Sequence, residues 1–151
     1  QQALILAQAI DGSDIAYRWQ WQLGRVLKAQ GEKEGAIAVY TEAVKTLKSL
    51  RSDLTAINQE VQFSFRETVE PVYRQLVELL LQNGDNINQN NLIQARNLIE
   101  SLQLAELDNF FQEACLTAKP ELIDQVDKTA AVIYPIILSD RLDVILSLPQ
   151  Q

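Results

Sequence analysis

The stretch Tyr17–Leu50, YRWQWQLGRVLKAQGEKEGAIAVYTEAVKTLKSL, decides the fold. It divides at Gln30-Gly31 into two amphipathic halves. In the first, Trp21, Leu23, Gly24, Val26 and Leu27 fall at helical spacing, and Gly31 supplies a residue able to adopt positive φ where a helix ends. In the second, Ala36, Ile37, Tyr40, Ala43, Val44 and Leu47 recur every three or four residues, which sets one apolar stripe against the first helix. Small residues stand at Gly24, Ala36 and Ala43, where two backbones must approach. Large ones stand at Leu27 and Tyr40, where the gap must be filled. The stretch predicts two helices facing each other across a tight turn.

That pattern resembles the tetratricopeptide (TPR) repeat, a helix-turn-helix unit of roughly 34 residues. The matching residues are Leu23-Gly24, Leu27, Ala36, Tyr40 and Ala43, with Gly31 in the turn. Two positions depart from it: Gln20 stands where the repeat prefers Trp, and Lys48 where Pro often closes it. An ordinary amphipathic helical hairpin would share the periodicity without being a repeat.

Working outward, Leu6 and Ala9 lie one repeat before Tyr40 and Ala43, so residues 1–10 read as the second helix of a preceding partial repeat. Ser13 or Asp14 serves as N-cap of the next helix. After Leu50, the polar mixture Arg51–Val61 reads as a long connecting loop. Ser64-Phe65-Arg66-Glu67 offers a capping box, and Pro71 predicts a bend or a fresh helix start. Val72, Tyr73, Leu76, Val77, Leu79, Leu80 and Leu81 then make a helix apolar enough to be covered on two sides. Gln82–Asn91 is a polar loop with five Asn. Leu92, Ala95, Leu98, Ile99 and Leu102 return at helical spacing, with Ala95, Ile99 and Leu102 in the places of Ala36, Tyr40 and Ala43. Leu104–Leu116 reads as one more helix. Past Lys119-Pro120 the character changes: Ala130–Leu138 and Leu142–Leu148 are apolar runs around Ser139-Asp140-Arg141, the signature of a β-hairpin. Two strands alone are marginal in water, so they are expected to pair with more sheet.

The expected fold is all-α, TPR-like helical hairpins in a right-handed α-solenoid, closed by a C-terminal β-hairpin. Residues 1–116 form the helical domain: partial repeat 1–10, repeat 14–50, degenerate repeat 64–103 and capping helix 104–116. A linker 117–129 and the hairpin 130–149 follow.

The 151 residues, 47% of them hydrophobic, suffice for a core. The chain contains no Met and has Gln-Gln at both ends, so we expect a piece of a longer protein. Neither an 18-residue apolar run nor a basic leader is visible. The net charge of −7 is concentrated after residue 50, where seven Lys/Arg face fifteen Asp/Glu, and this argues against nucleic acid, which needs a basic face. One Cys excludes an internal disulfide and suits a reducing, cytoplasmic compartment.

A second resemblance covers about residues 50–149. Leu50–Leu54, Val61–Arg66, Glu70–Arg74, Glu100–Phe111 and Ala130–Ile136 occur in the order found in cyanobacterial TPR proteins that carry a CHAT domain, a caspase-like peptidase domain. The resemblance implies that Ala130–Leu148 opens such a domain, whose His and Cys would lie downstream. This chain has no His, and Cys115 precedes the strands, so Cys115 reads as a small buried hydrophobe rather than the nucleophile. Glu67 with Glu70, and Asp124 with Asp127, have spacings a metal could use, but without His or paired thiolates they read as solvated surface. No Gly-rich phosphate loop is present. We therefore expect neither catalysis nor a cofactor in this chain.

Binding has more support. In a TPR-like array the first helix of each repeat lines the groove, and Arg18, Trp21, Arg25 and Lys28 recur at three, four and three residues on one such face. Three cations around an aromatic would seat an acidic protein or peptide segment by charge-assisted hydrogen bonds. Arg74 and Glu78 are the corresponding candidates on the second hairpin. The same face would equally serve as a solvated one with Trp21 packed inward. A self-associating scaffold, pairing through its strands into a homo-oligomer, is the competing reading.

Overall fold

A computed structural model describes residues 13–54, 65–82, 87–111, 126–127 and 129–149. Helix α1 spans Ser13–Ala29 and α2 spans Lys33–Leu54. Gly31, at φ +80, ends α1: the Glu32 amide donates to the Leu27 carbonyl at 3.0 Å and the Gly31 amide to Lys28 at 3.1 Å. Those two bonds satisfy carbonyls that the end of a helix leaves open, and no side-chain-bearing residue takes that φ without strain. Where α1 crosses α2, Gly24 lies under the Tyr40 ring; a Cβ there would stand 2.7 Å from ring carbons. Ala36, Tyr40 and Ala43 are all fully buried.

The buried stripe of α1 differs from the sequence reading. It runs through Ala16, Tyr17, Gln20 and Gly24, while Val26 is 51% exposed. Val26 is two residues, about 200° of helix rotation, from Gly24, so it faces away from α2. Gln20, in place of the expected Trp, is buried, with the Thr46 hydroxyl 3.0 Å from its Oε1. Helix α2 also runs on to Leu54, where a loop was expected from Arg51. No Gly or Pro interrupts Ala36–Leu54, so polar composition alone does not stop the helix.

A π-helical turn, Phe65–Val69, leads into α3, Glu70–Leu80. Pro71 lies in the first turn of α3, where its missing N–H leaves no bond unmade. The helical run begins at Phe65 and passes from π to α at Glu70, so it does not start afresh at Pro71. Ser64 lies outside the described residues, and Val69, which precedes α3, makes no side-chain cap. All seven apolar residues expected on α3 and its end, from Val72 to Leu81, are buried. Asn88 opens α4, Gln89–Phe111, its Oδ1 accepting from the Asn91 amide at 2.8 Å. The sequence predicts a break at Leu104; instead α4 continues through it, with Ala95, Ile99, Leu102 and Ala105 buried along its length. Residues 1–10, 112–116 and Cys115 lie outside the described residues, as does most of 117–129.

The hairpin forms as expected. Strands β1, Val132–Ile137, and β2, Leu142–Ser147, pair antiparallel in the register Tyr134↔Ile145 and Ile137↔Leu142. Helices pack in chain order, α1 on α2, α2 on α3, α3 on α4. The inner hairpin residues Tyr134, Ile136, Leu138 and Ile145 join the same core as the helices. Arg74 of α3 donates to the Ile137 carbonyl at 2.9 Å, and the buried Arg96 of α4 lies 5.8 Å from the Tyr134 ring centroid. The outer face, with Ile133, Ile137, Leu142, Val144 and Leu146 each 55–71% exposed, is apolar.

Candidate functional site

Between the C-terminal half of α1, the exposed side of α3, the end of α4 and the hairpin turn lies a groove of about 1520 Å³. Small-molecule pockets run to about 300–1,000 Å³, so this is room for a polymer segment. Helical spacing places Pro71, Arg74, Gln75 and Glu78 on one face of α3, and all four line it. From α1 come Arg25, Lys28 and Ala29. Phe65, Leu107, Ile137 and Leu138 make the apolar wall, and Arg66 and Glu106 add charge at the far side.

The expected site residues separate into two groups. Arg25, Lys28, Arg74 and Glu78 meet in this groove. Lys28 pairs with Glu78 at 2.9 Å, joining α1 to α3, and Arg74 pairs with Glu70 at 2.5 Å while reaching the hairpin. Arg25 makes no ion pair among the described residues; it stacks 5.8 Å over the Trp21 ring and is 3.3 Å from Gln22 Oε1. Arg18 and Trp21 do not line the groove. Arg18 leans on the Tyr17 ring and hydroxyl. Trp21 turns inward, its indole N–H donating to Gln75 Oε1 at 2.8 Å. The one-face spacing of these four residues is real, but the edge of that face turns toward Tyr17 and its middle is absorbed by α3.

The residue that periodicity does not single out is Gln75. Its Oε1 also accepts from the Tyr40 hydroxyl at 2.7 Å, so one amide ties α1, α2 and α3 together beneath the groove. Burial pushes the Tyr40 hydroxyl up to about 12, outweighing the nearby Arg25, so Tyr40 remains a donor across the physiological range. A polar residue inside the run Val72–Leu81 was the available signal. Its partners lie 35 and 54 residues away in sequence, beyond any local pattern.

As for metals, no group of three or more His, Cys, Asp and Glu able to hold an ion occurs among the described residues. Glu70 is engaged by Arg74, and Asp127 Oδ1 accepts from the hydroxyl and amide of Thr129, which holds its carboxyl below the usual range. Among the described residues no helix is long and apolar enough to cross a membrane. Comparison with protein-family models, curated proteins and solved structures yields no match to this chain.

Proposed function

We propose that the chain is a protein-interaction module, a TPR-like array whose groove grips an acidic, partly apolar segment of a partner protein. The observation carrying this reading is the meeting of Arg25, Lys28, Arg74 and Glu78 from two helices on one groove with an apolar wall. Four cations against three carboxylates line it, a local excess of positive charge in a chain of net charge −7. The contact of Gly24 with Tyr40, the three fully buried small-and-large positions and the in-order packing of the helices support the repeat reading.

On the resemblance of residues 50–149, the module belongs to a cytoplasmic bacterial protein and feeds a caspase-like CHAT domain, with catalysis supplied there and not by this chain. The hairpin is then the first part of that domain, and its apolar outer face is where the sheet is covered. That same face favours a second reading, self-association into a homo-oligomer, which the oligomeric state of an Ile133→Ser variant separates from the first.

The direct test is to pan a random 12-residue peptide library, displayed without free C-termini, on the chain. We expect enriched peptides that lose at least ten-fold in affinity against Arg25→Glu while the variant keeps its helical circular dichroism. No enrichment from this library or from one with free C-termini, or enrichment indifferent to Arg25→Glu, would contradict the reading.

A further inference from the structure

The hydrogen bonds at Gln75 fix more than packing. An indole N–H can only donate, so the atom facing Trp21 at 2.8 Å must be the amide oxygen. The Tyr40 hydroxyl occupies the second lone pair of that oxygen. The amide is thereby oriented, and its nitrogen, with two N–H groups, is turned away from both partners. Among the described residues that nitrogen donates to nothing, while Gln75 lines the groove. Two strong donors on the oxygen also polarise the amide and make its N–H groups better donors.

The neighbouring charges favour one kind of acceptor. Glu78 pairs with Lys28 and Glu70 with Arg74, while Arg25, whose charge acts on the Tyr40 hydroxyl, makes no ion pair among the described residues. A carboxylate placed there accepts from a fixed amide and from a guanidinium, both charge-assisted, in a half-buried setting. The groove extends along α3 on either side of Gln75, toward Pro71 in one direction and Glu78 in the other. A segment that continues past the contact fits this better than one that ends at it.

Resting on the groove reading above, we propose that Gln75 and Arg25 together hold the side-chain carboxylate of an internal Asp or Glu in the partner segment. Trp21 and Tyr40 act as positioning residues that aim the amide.

The test uses the peptides enriched on the chain, synthesised with amidated C-termini, each beside its Asp→Asn or Glu→Gln counterpart. Binding is followed by Trp fluorescence against wild type and Gln75→Glu. That variant keeps an acceptor for Trp21 and Tyr40 but replaces the donor with a carboxylate. We expect the acidic peptides to bind at least ten-fold tighter than their amide counterparts and Gln75→Glu to abolish that preference. Peptides lost with Arg25→Glu yet indifferent both to their own acid and to Gln75→Glu would overturn this inference while leaving the groove reading intact. Enrichment only from a library with free C-termini would assign the contact to a terminal carboxylate and overturn it too. The peptide-side substitutions decide the matter even if Gln75→Glu unfolds.

Discussion

Tyr40 shows how one residue serves packing and site at once. Its ring fills the space that Gly24 leaves, and its hydroxyl reaches Gln75 beneath the groove. The ring's role was legible, because a large residue three before Ala43 and opposite a glycine is a local pattern. The hydroxyl's role was not, because its partner lies on another helix. Its pKa, raised from 10.0 to about 12 by burial, is a statement about stability. The folded state holds the neutral form, so the contribution is complete below pH 10 and is lost as pH rises from 10 toward 12, where the unfolded chain ionises first. We expect wild type to lose on the order of 2 kcal/mol more than Tyr40→Phe across that window in urea unfolding. At neutral pH, Tyr40→Phe itself costs about 1 kcal/mol through the lost bond to Gln75. Parallel pH profiles for the two proteins would show that the hydroxyl is not shielded.

Among the elements, the hairpin carries the sharpest contrast. Alternation along β1 puts Tyr134 and Ile136 into the core and Ile133 and Ile137 outside, and both faces are apolar. An antiparallel sheet normally shows water one polar face, so an apolar outer face marks a surface built to be covered. The sequence made the hairpin legible through two apolar runs around Ser139-Asp140-Arg141. Its docking onto the helices was not, since it depends on Arg74 and Arg96 arriving from α3 and α4. The unbroken α4 was missed for a related reason: a change in surface composition near Leu104 mimics a boundary while the buried positions carry straight through. We expect Ile136→Ala, at a fully buried position, to destabilise by about 2–5 kcal/mol. Ile133→Ser should change stability by less than about 0.5 kcal/mol. In sedimentation, Ile133→Ser dissociating an otherwise concentration-dependent dimer would favour the scaffold reading; a monomer in both forms would favour the interaction module.

For the whole molecule, the helical hairpins and their order were readable because each is a local event of spacing, turn and cap. The groove is not local. It is formed where α1, α3, α4 and the hairpin turn meet, and only Arg25, Lys28, Arg74 and Glu78 of its lining were foreseen. Arg18 and Trp21 were placed on the right helix but outside the groove, since a one-turn stripe cannot show which part of it a neighbour covers. The overall charge of −7 would repel the proposed acidic partner at long range, so the proposal rests on the local excess of cations in the groove. The measurement that tests this most directly is a backbone amide shift map of the ¹⁵N-labelled chain, titrated with an enriched acidic peptide. The account predicts shifts concentrated at residues 25–29, 72–78 and 137–139, bordering the groove. Shifts centred on Ile133, Val144 and Leu146 instead, or spread without focus, would contradict it.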